Sequence, residues 1–293
     1  MHVRNGQTQE FNENLPPFAL KQVNMDIIEG ENKRLLHVAS TDLVHEAQLL
    51  RKIQHTNIIE LVGTSDEAND QGRFFVILEK LECTLESKVE KWDGIRGLKQ
   101  ITPKSAVKLR VNLVAIPIAS GLEYLHSKNI IYRDLKPGNI GFDELGNIKI
   151  FDFGLAIEVP KGKMIEGTTG TLRYMAPEMK SNRYSFPVDV YSFAIMLWEI
   201  ITSRLPFAKE IPLYSFSTPI DISDDRRPDL KYVESKTLAK LLGACWSVNR
   251  DERWNFEKII LELQKYASEF VHETTSKKKP SSSRRTFISR HFR

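Results

Sequence analysis

Residues 130–139 read Ile-Ile-Tyr-Arg-Asp-Leu-Lys-Pro-Gly-Asn, a short stretch that holds three unlike functional groups. Asp134 stands two places before Lys136 and five before Asn139. Pro137-Gly138 suits neither a helix interior nor a strand interior, so a loop is expected here. Such a loop can aim a carboxylate, an ammonium and a neutral amide at one point. Phosphoryl transfer asks for that set: a group to orient the attacking hydroxyl, and positive charge beside the moving phosphoryl group.

Asp152-Phe153-Gly154 follows thirteen residues after Asn139. The segment between reads as a tight hairpin, with residues 140–143 going out, Glu144-Leu145-Gly146-Asn147 turning and residues 148–151 returning. A turn centred between Leu145 and Gly146 would set Asn139 directly opposite Asp152 at the open end. A pair of oxygen donors there suits Mg²⁺, which takes one or two protein oxygens together with phosphate and water.

Tyr132 to Asn139, then Asp152-Phe153-Gly154, then Ala176-Pro177-Glu178 resemble the eukaryotic protein kinases in order and spacing. A lone Asp-Phe-Gly would carry little weight, because structural carboxylates in turns are common; three motifs in order carry much more. The resemblance runs from about Val3 to about Phe270. It implies an α+β, two-lobed fold, with a small antiparallel β lobe bearing one main helix and a larger, mainly helical lobe. The expected division is residues 1–80 for the small lobe, 81–271 for the large lobe and 272–293 for a basic tail.

The remaining elements must position these groups. Phe18-Ala19-Leu20-Lys21-Gln22-Val23 alternates as a strand, and it resembles the kinase strand with an Ala-x-Lys, whose lysine (Lys21) contacts phosphates. Leu43 to Ile53 reads as a helix with Leu43, Ala47, Leu50 and Ile53 on one face. Glu46 interrupts that stripe, and a buried carboxylate needs a partner; Lys21 is the natural one. Phe74 to Leu78 is an apolar strand. By resemblance Leu78 is the gatekeeper beside the adenine pocket, and Glu79 to Leu81 form the hinge whose backbone groups pair with adenine. A long helix is expected over residues 107–127, bent at Pro117. Residues 152–178 correspond to an activation loop. Thr171 and the residues after it look like the substrate-docking loop of serine/threonine kinases, and Lys136 points the same way. Asp189 opens an apolar helix that resembles the tyrosine-kinase-like group, and Arg253 corresponds to the arginine that pairs with Glu178.

Bulk properties fit this reading. A chain of 293 residues with 41% apolar and 27% charged residues can bury a sizeable core. Two cysteines, Cys83 and Cys245, are too few for a disulfide framework. No signal peptide or transmembrane segment is expected, and cytoplasm is the expected compartment, with the nucleus open through the basic tail. The net charge of +4 misleads, since residues 272–293 hold seven lysines and arginines against Glu273 and leave the rest slightly acidic. No specific nucleic-acid binding is expected from such a tail.

The resemblance implies transfer of the ATP γ-phosphate to Ser or Thr hydroxyls of a protein, with ATP and Mg²⁺ as cofactors. Asp134 would orient the hydroxyl, Lys136 would sit beside the γ-phosphate, and Asn139 and Asp152 would hold the metal. Lys21, fixed by Glu46, would hold the α- and β-phosphates. Two departures stand out. Gly141 falls where the family has a bulky apolar residue under adenine, so the pocket floor is expected to be thin. The Gly-x-Gly-x-x-Gly loop is missing ahead of Lys21, as if the chain began inside the second strand. Two rival readings are a kinase-fold scaffold or binding module with little or no catalysis, and a small-molecule kinase.

Overall fold

The computed structural model describes residues 18–23, 33–65, 74–92, 103–160, 162–181, 183–208 and 226–275. The region expected to hold a glycine loop and most of the basic tail lie outside them. β1 (Phe18–Gln22), β2 (Leu61–Thr64) and β3 (Phe75–Glu79) form an antiparallel sheet in the order β1-β3-β2. The β-branched and aromatic run of β3 suits the central place, and Val76 and Leu78 are buried. Helix α1 (Lys33–Leu50) packs on β2 and β3 and buries Leu43, Ala47 and Leu50. It starts ten residues before Leu43, because the apolar stripe marks only the part laid on the core; Val38, one turn earlier, is exposed. Glu79 closes β3, where its carboxylate accepts the Glu60 N–H (2.8 Å) and pairs with Lys149 (2.8 Å).

The helical part follows β4 (Cys83–Thr84) and α2 (Leu85–Trp92). Residues Pro103–Ser127 run as one helix in three pieces: α3 (Pro103–Arg110), a π-helical turn at Val111–Ala115, and α4 (Ile116–Ser127). The expected disturbance from Pro117 is thus a widened turn just before it. Proline offers no N–H and crowds the carbonyl one turn back, and an i→i+5 turn relieves both. This helix is long and apolar enough to cross a membrane by composition, yet it lies along α5 (Pro187–Thr202) and α7 (Phe256–Thr275) as core. α5 is buried from Val188 through Thr202, which matches its apolarity on every face. α6 (Lys236–Cys245) packs against both α5 and α7.

Between α4 and α5 lie β5 (Ile130–Ile131), β6 (Ile140–Phe142), β7 (Ile148–Ile150) and β8 (Ile157–Glu158). β6 pairs with β7 as expected, but one residue out of the expected register: Ile140 faces Ile150 and Gly141 faces Lys149. The turn is centred on Leu145. Asp143 sets it, accepting the Leu145 N–H (3.0 Å) and the Asn147 N–H (2.8 Å) on one oxygen, while Gly146 takes a left-handed φ of 82°. Asn139 therefore faces Phe151, whose N–H it accepts (3.1 Å), and Asp152 lies one step beyond.

Glu199 is a buried carboxyl inside α5, 6% exposed, which accepts the Tyr174 hydroxyl (2.7 Å). Burial pushes it up from 4.5 to about 7, against the lowering effects of the Tyr174 bond and the Arg173 charge. The folded protein therefore keeps a proton that the unfolded chain gives up. Its contribution is fully present below pH 4.5 and lost as pH rises through about 7. The expected loss across that window is about 3 kcal/mol at 1.36 kcal/mol per unit. In Glu199→Gln, urea midpoints should fall less between pH 5 and pH 8 than in the wild type. Parallel pH profiles for the two proteins would contradict this.

Candidate active site

The 130–139 loop is held from below by one carboxylate. Asp189, at the start of α5 and fully buried, accepts the N–H groups of Tyr132 (2.8 Å) and Arg133 (2.8 Å) and meets Nε2 of His126 (2.9 Å). These bonds hold Arg133 at a φ of 71°, a left-handed conformation that side chains disfavour. The Arg133 guanidinium bonds the Leu155 carbonyl (2.5 Å) and the Tyr184 hydroxyl (3.3 Å), tying the loop to the segment after Asp152.

Asp134, 8% exposed, has both oxygens engaged. Oδ2 accepts from Lys136 Nζ (2.8 Å) and Asn139 Nδ2 (2.9 Å), and Oδ1 accepts from the Thr171 hydroxyl (2.6 Å). Lys136 also reaches that hydroxyl (3.0 Å), and Asn139 also bonds the Asp134 backbone carbonyl (2.9 Å). The three residues singled out by spacing do converge, and Thr171 joins them from 37 positions away. Gly170 makes this approach feasible: its φ is 108°, and a Cβ there would lie 2.6 Å from the Arg133 carbonyl oxygen.

A second cluster sits where β1 and α1 meet the start of the 152–154 turn. Lys21 Nζ lies 2.6 Å from Glu46 Oε2 and 2.9 Å from Asp152 Oδ1. Glu46 is 1% exposed, and its other oxygen accepts the Phe153 N–H (2.9 Å). Burial alone would lower the Lys21 ammonium, but the charges and hydrogen bonds of Glu46 and Asp152 outweigh it and hold it above its ordinary range. Asp152 itself takes a φ of 63°, with Phe151 bonded to Asn139 on one side and Phe153 to Glu46 on the other.

Asn139 and Asp152 are thus linked through the backbone of Phe151, and their side chains face different partners. Their donor set still suits a hard cation. The Asp152 carboxylate is 45% exposed beside the Lys21 ammonium, and Asn139 gives its amide nitrogen to Asp134, so its amide oxygen faces away from Asp134. Of the other expected residues, Ala19 is exposed on β1 directly across from buried Leu78. Lys21 follows Ala19 on the same strand face. Leu81 is half-buried and leans on Gly141. Arg253 grips Glu178 with two nitrogens (2.5 and 3.0 Å) as the resemblance implied. Asp189 escaped the sequence reading as an anchor; its only signal was a carboxylate at the mouth of the most apolar helix.

Comparison with known proteins agrees with the geometry. The model of the protein kinase domain family matches residues 8–263, and the chain belongs to that family. It is 32% identical over 222 residues to the serine/threonine/tyrosine-protein kinase HT1 of Arabidopsis thaliana, covering 75% of this chain and 54% of that protein. It is 29% identical over 271 residues to the serine/threonine-protein kinase STY46 of the same plant, covering 90% and 43%. With the serine/threonine-protein kinase VIK the figures are 34% over 236 residues, 76% and 50%. The chain spans about half the length of these curated relatives.

Replacing Asp189 by alanine leaves two buried N–H groups and His126 without their acceptor. The expected destabilisation is about 3–5 kcal/mol, read from urea unfolding. A loss under about 1 kcal/mol would mean the loop does not hang on this carboxylate.

Proposed function

We propose that this chain is a protein serine/threonine kinase that moves the γ-phosphate of ATP to a Ser or Thr hydroxyl of a protein substrate. The observation that carries the proposal is the Asp134 carboxylate, gripped by Lys136 and Asn139 beside the Thr171 loop. Asp134 orients the acceptor hydroxyl and takes its proton as the new oxygen–phosphorus bond forms and the bond to the β-phosphate oxygen breaks, leaving ADP. Oδ1 already takes an alcohol donor at 2.6 Å. Lys136 supplies positive charge beside the transferring group, and Lys21, oriented by Glu46, supplies it at the α- and β-phosphates. Asn139 and Asp152 would hold Mg²⁺, which when bound neutralises charge on the phosphates. The base lies between the backbone of Glu79 to Leu81 and the apolar surface of Ala19 and Leu78. The lobes divide between Lys80 and Leu81.

The Gly170-Thr171 segment, bonded to the 130–139 loop, supports a peptide acceptor over a small molecule, because it corresponds to the substrate-docking loop of serine/threonine kinases and meets Asp134 directly. In Asp134→Asn, transfer to a Ser/Thr peptide should fall at least about 10²-fold while melting temperature and ATP affinity stay near wild type. Retention of most of the rate would remove Asp134 from this role.

A further inference from the structure

Gly141 lies in the middle strand β6 of the β4-β6-β7 sheet, buried, with Thr84 on one side and Lys149 on the other. The space above it is not empty. A Cβ built on Gly141 would lie 2.4 Å from Cδ1 of Leu81, 3.2 Å from its Cγ and 3.3 Å from its Cβ. Three carbons of one side chain therefore occupy the volume that a side chain at position 141 would fill. The fit is fixed by backbone: the Glu82 N–H bonds the Phe142 carbonyl (2.8 Å), and Cys83 and Thr84 pair with Phe142 and Gly141. The Leu81 backbone cannot leave this place without breaking the start of that ladder.

We propose that Leu81 supplies the apolar floor of the nucleotide-base site in place of the side chain that Gly141 lacks. The inference rests on the nucleotide-binding reading above and names the residue that determines base affinity. Leu81 belongs to the segment whose backbone flanks the base, so one residue provides both an edge and a floor. On this reading the floor that the glycine leaves thin is filled by a side chain from the segment just before β4. Burying a purine face against the isobutyl group removes apolar surface from water on both partners. A large side chain at 141 and Leu81 exclude one another, because packed interiors tolerate no overlap.

The test uses the full chain with Mg²⁺ and two probes, ATP and inorganic tripolyphosphate, which shares the phosphates and lacks the base. Calorimetric affinities are measured for wild type, Leu81→Ala, Gly141→Leu and the double variant. Leu81→Ala should bind ATP about tenfold more weakly, the scale of one lost apolar contact, with tripolyphosphate unchanged. Gly141→Leu should also lose ATP affinity, and adding Leu81→Ala to it should restore affinity to within about threefold of wild type. Tighter ATP binding by Leu81→Ala would show that Leu81 obstructs the site, and would overturn the proposal. Losses that simply multiply in the double variant would overturn it too. Should Gly141→Leu fail to fold by thermal melting, Leu81→Ala alone still separates floor from obstruction. A wild type that binds neither probe defeats the nucleotide reading itself, whereas wild-type binding of ATP unaffected by Leu81→Ala defeats only the assignment of Leu81.

Discussion

Glu46 divides its two oxygens between distant parts of the chain. One holds the Lys21 ammonium on β1, the other the Phe153 N–H just after Asp152. A carboxylate 1% exposed is costly unless such partners are present, so the helix, the strand and the turn are bound to occur together. Lys21 remains 41% exposed, so the pair adds little net stability. Its effect is positional: it sets the ammonium beside Asp152 and holds Asp152 in a backbone conformation it would not choose alone. Every role assigned to the phosphate end of the site depends on that placement.

The same logic recurs beneath the loop of Asp134. Asp189 meets two N–H groups and a histidine, and Arg133 is held left-handed as a result. Two strained residues, each tied to a buried carboxylate, set the groups proposed for chemistry: Arg133 precedes Asp134, and Asp152 is itself one of them. The strain is tolerable because one end of each tie is fixed in a packed helix, Asp189 in α5 and Glu46 in α1. Thr171 then closes on Asp134 through Gly170, the one residue type that fits against the Arg133 carbonyl.

Local grammar made much of this readable. Residue type and spacing marked Asp134, Lys136 and Asn139, and an interrupted apolar stripe marked Glu46 and pointed to Lys21. Long-range and side-chain-directed features were harder. The β6–β7 register slipped by one because the Asp143 carboxylate, invisible to a pairing rule, recentres the turn. Thr171 reaches Asp134 across 37 positions, a separation that no local pattern encodes. The filling of the Gly141 space by Leu81 depends on the β4–β6 ladder, which two-residue strands scarcely signal. Pro117 announced a disturbance; that it includes a π turn just ahead of the proline needs the packed helix to be seen.

The central claim is that Lys21 and Glu46 act as one unit in presenting charge to the phosphates. A double-mutant cycle of Lys21→Met and Glu46→Gln, read as peptide phosphorylation rate at saturating ATP, tests it most directly. Each single change should slow transfer about 10²-fold, and the double variant should be no more than about threefold slower than the worse single, since a broken unit cannot be broken twice. Losses that multiply in the double variant would contradict the account, because the two side chains would then be acting independently.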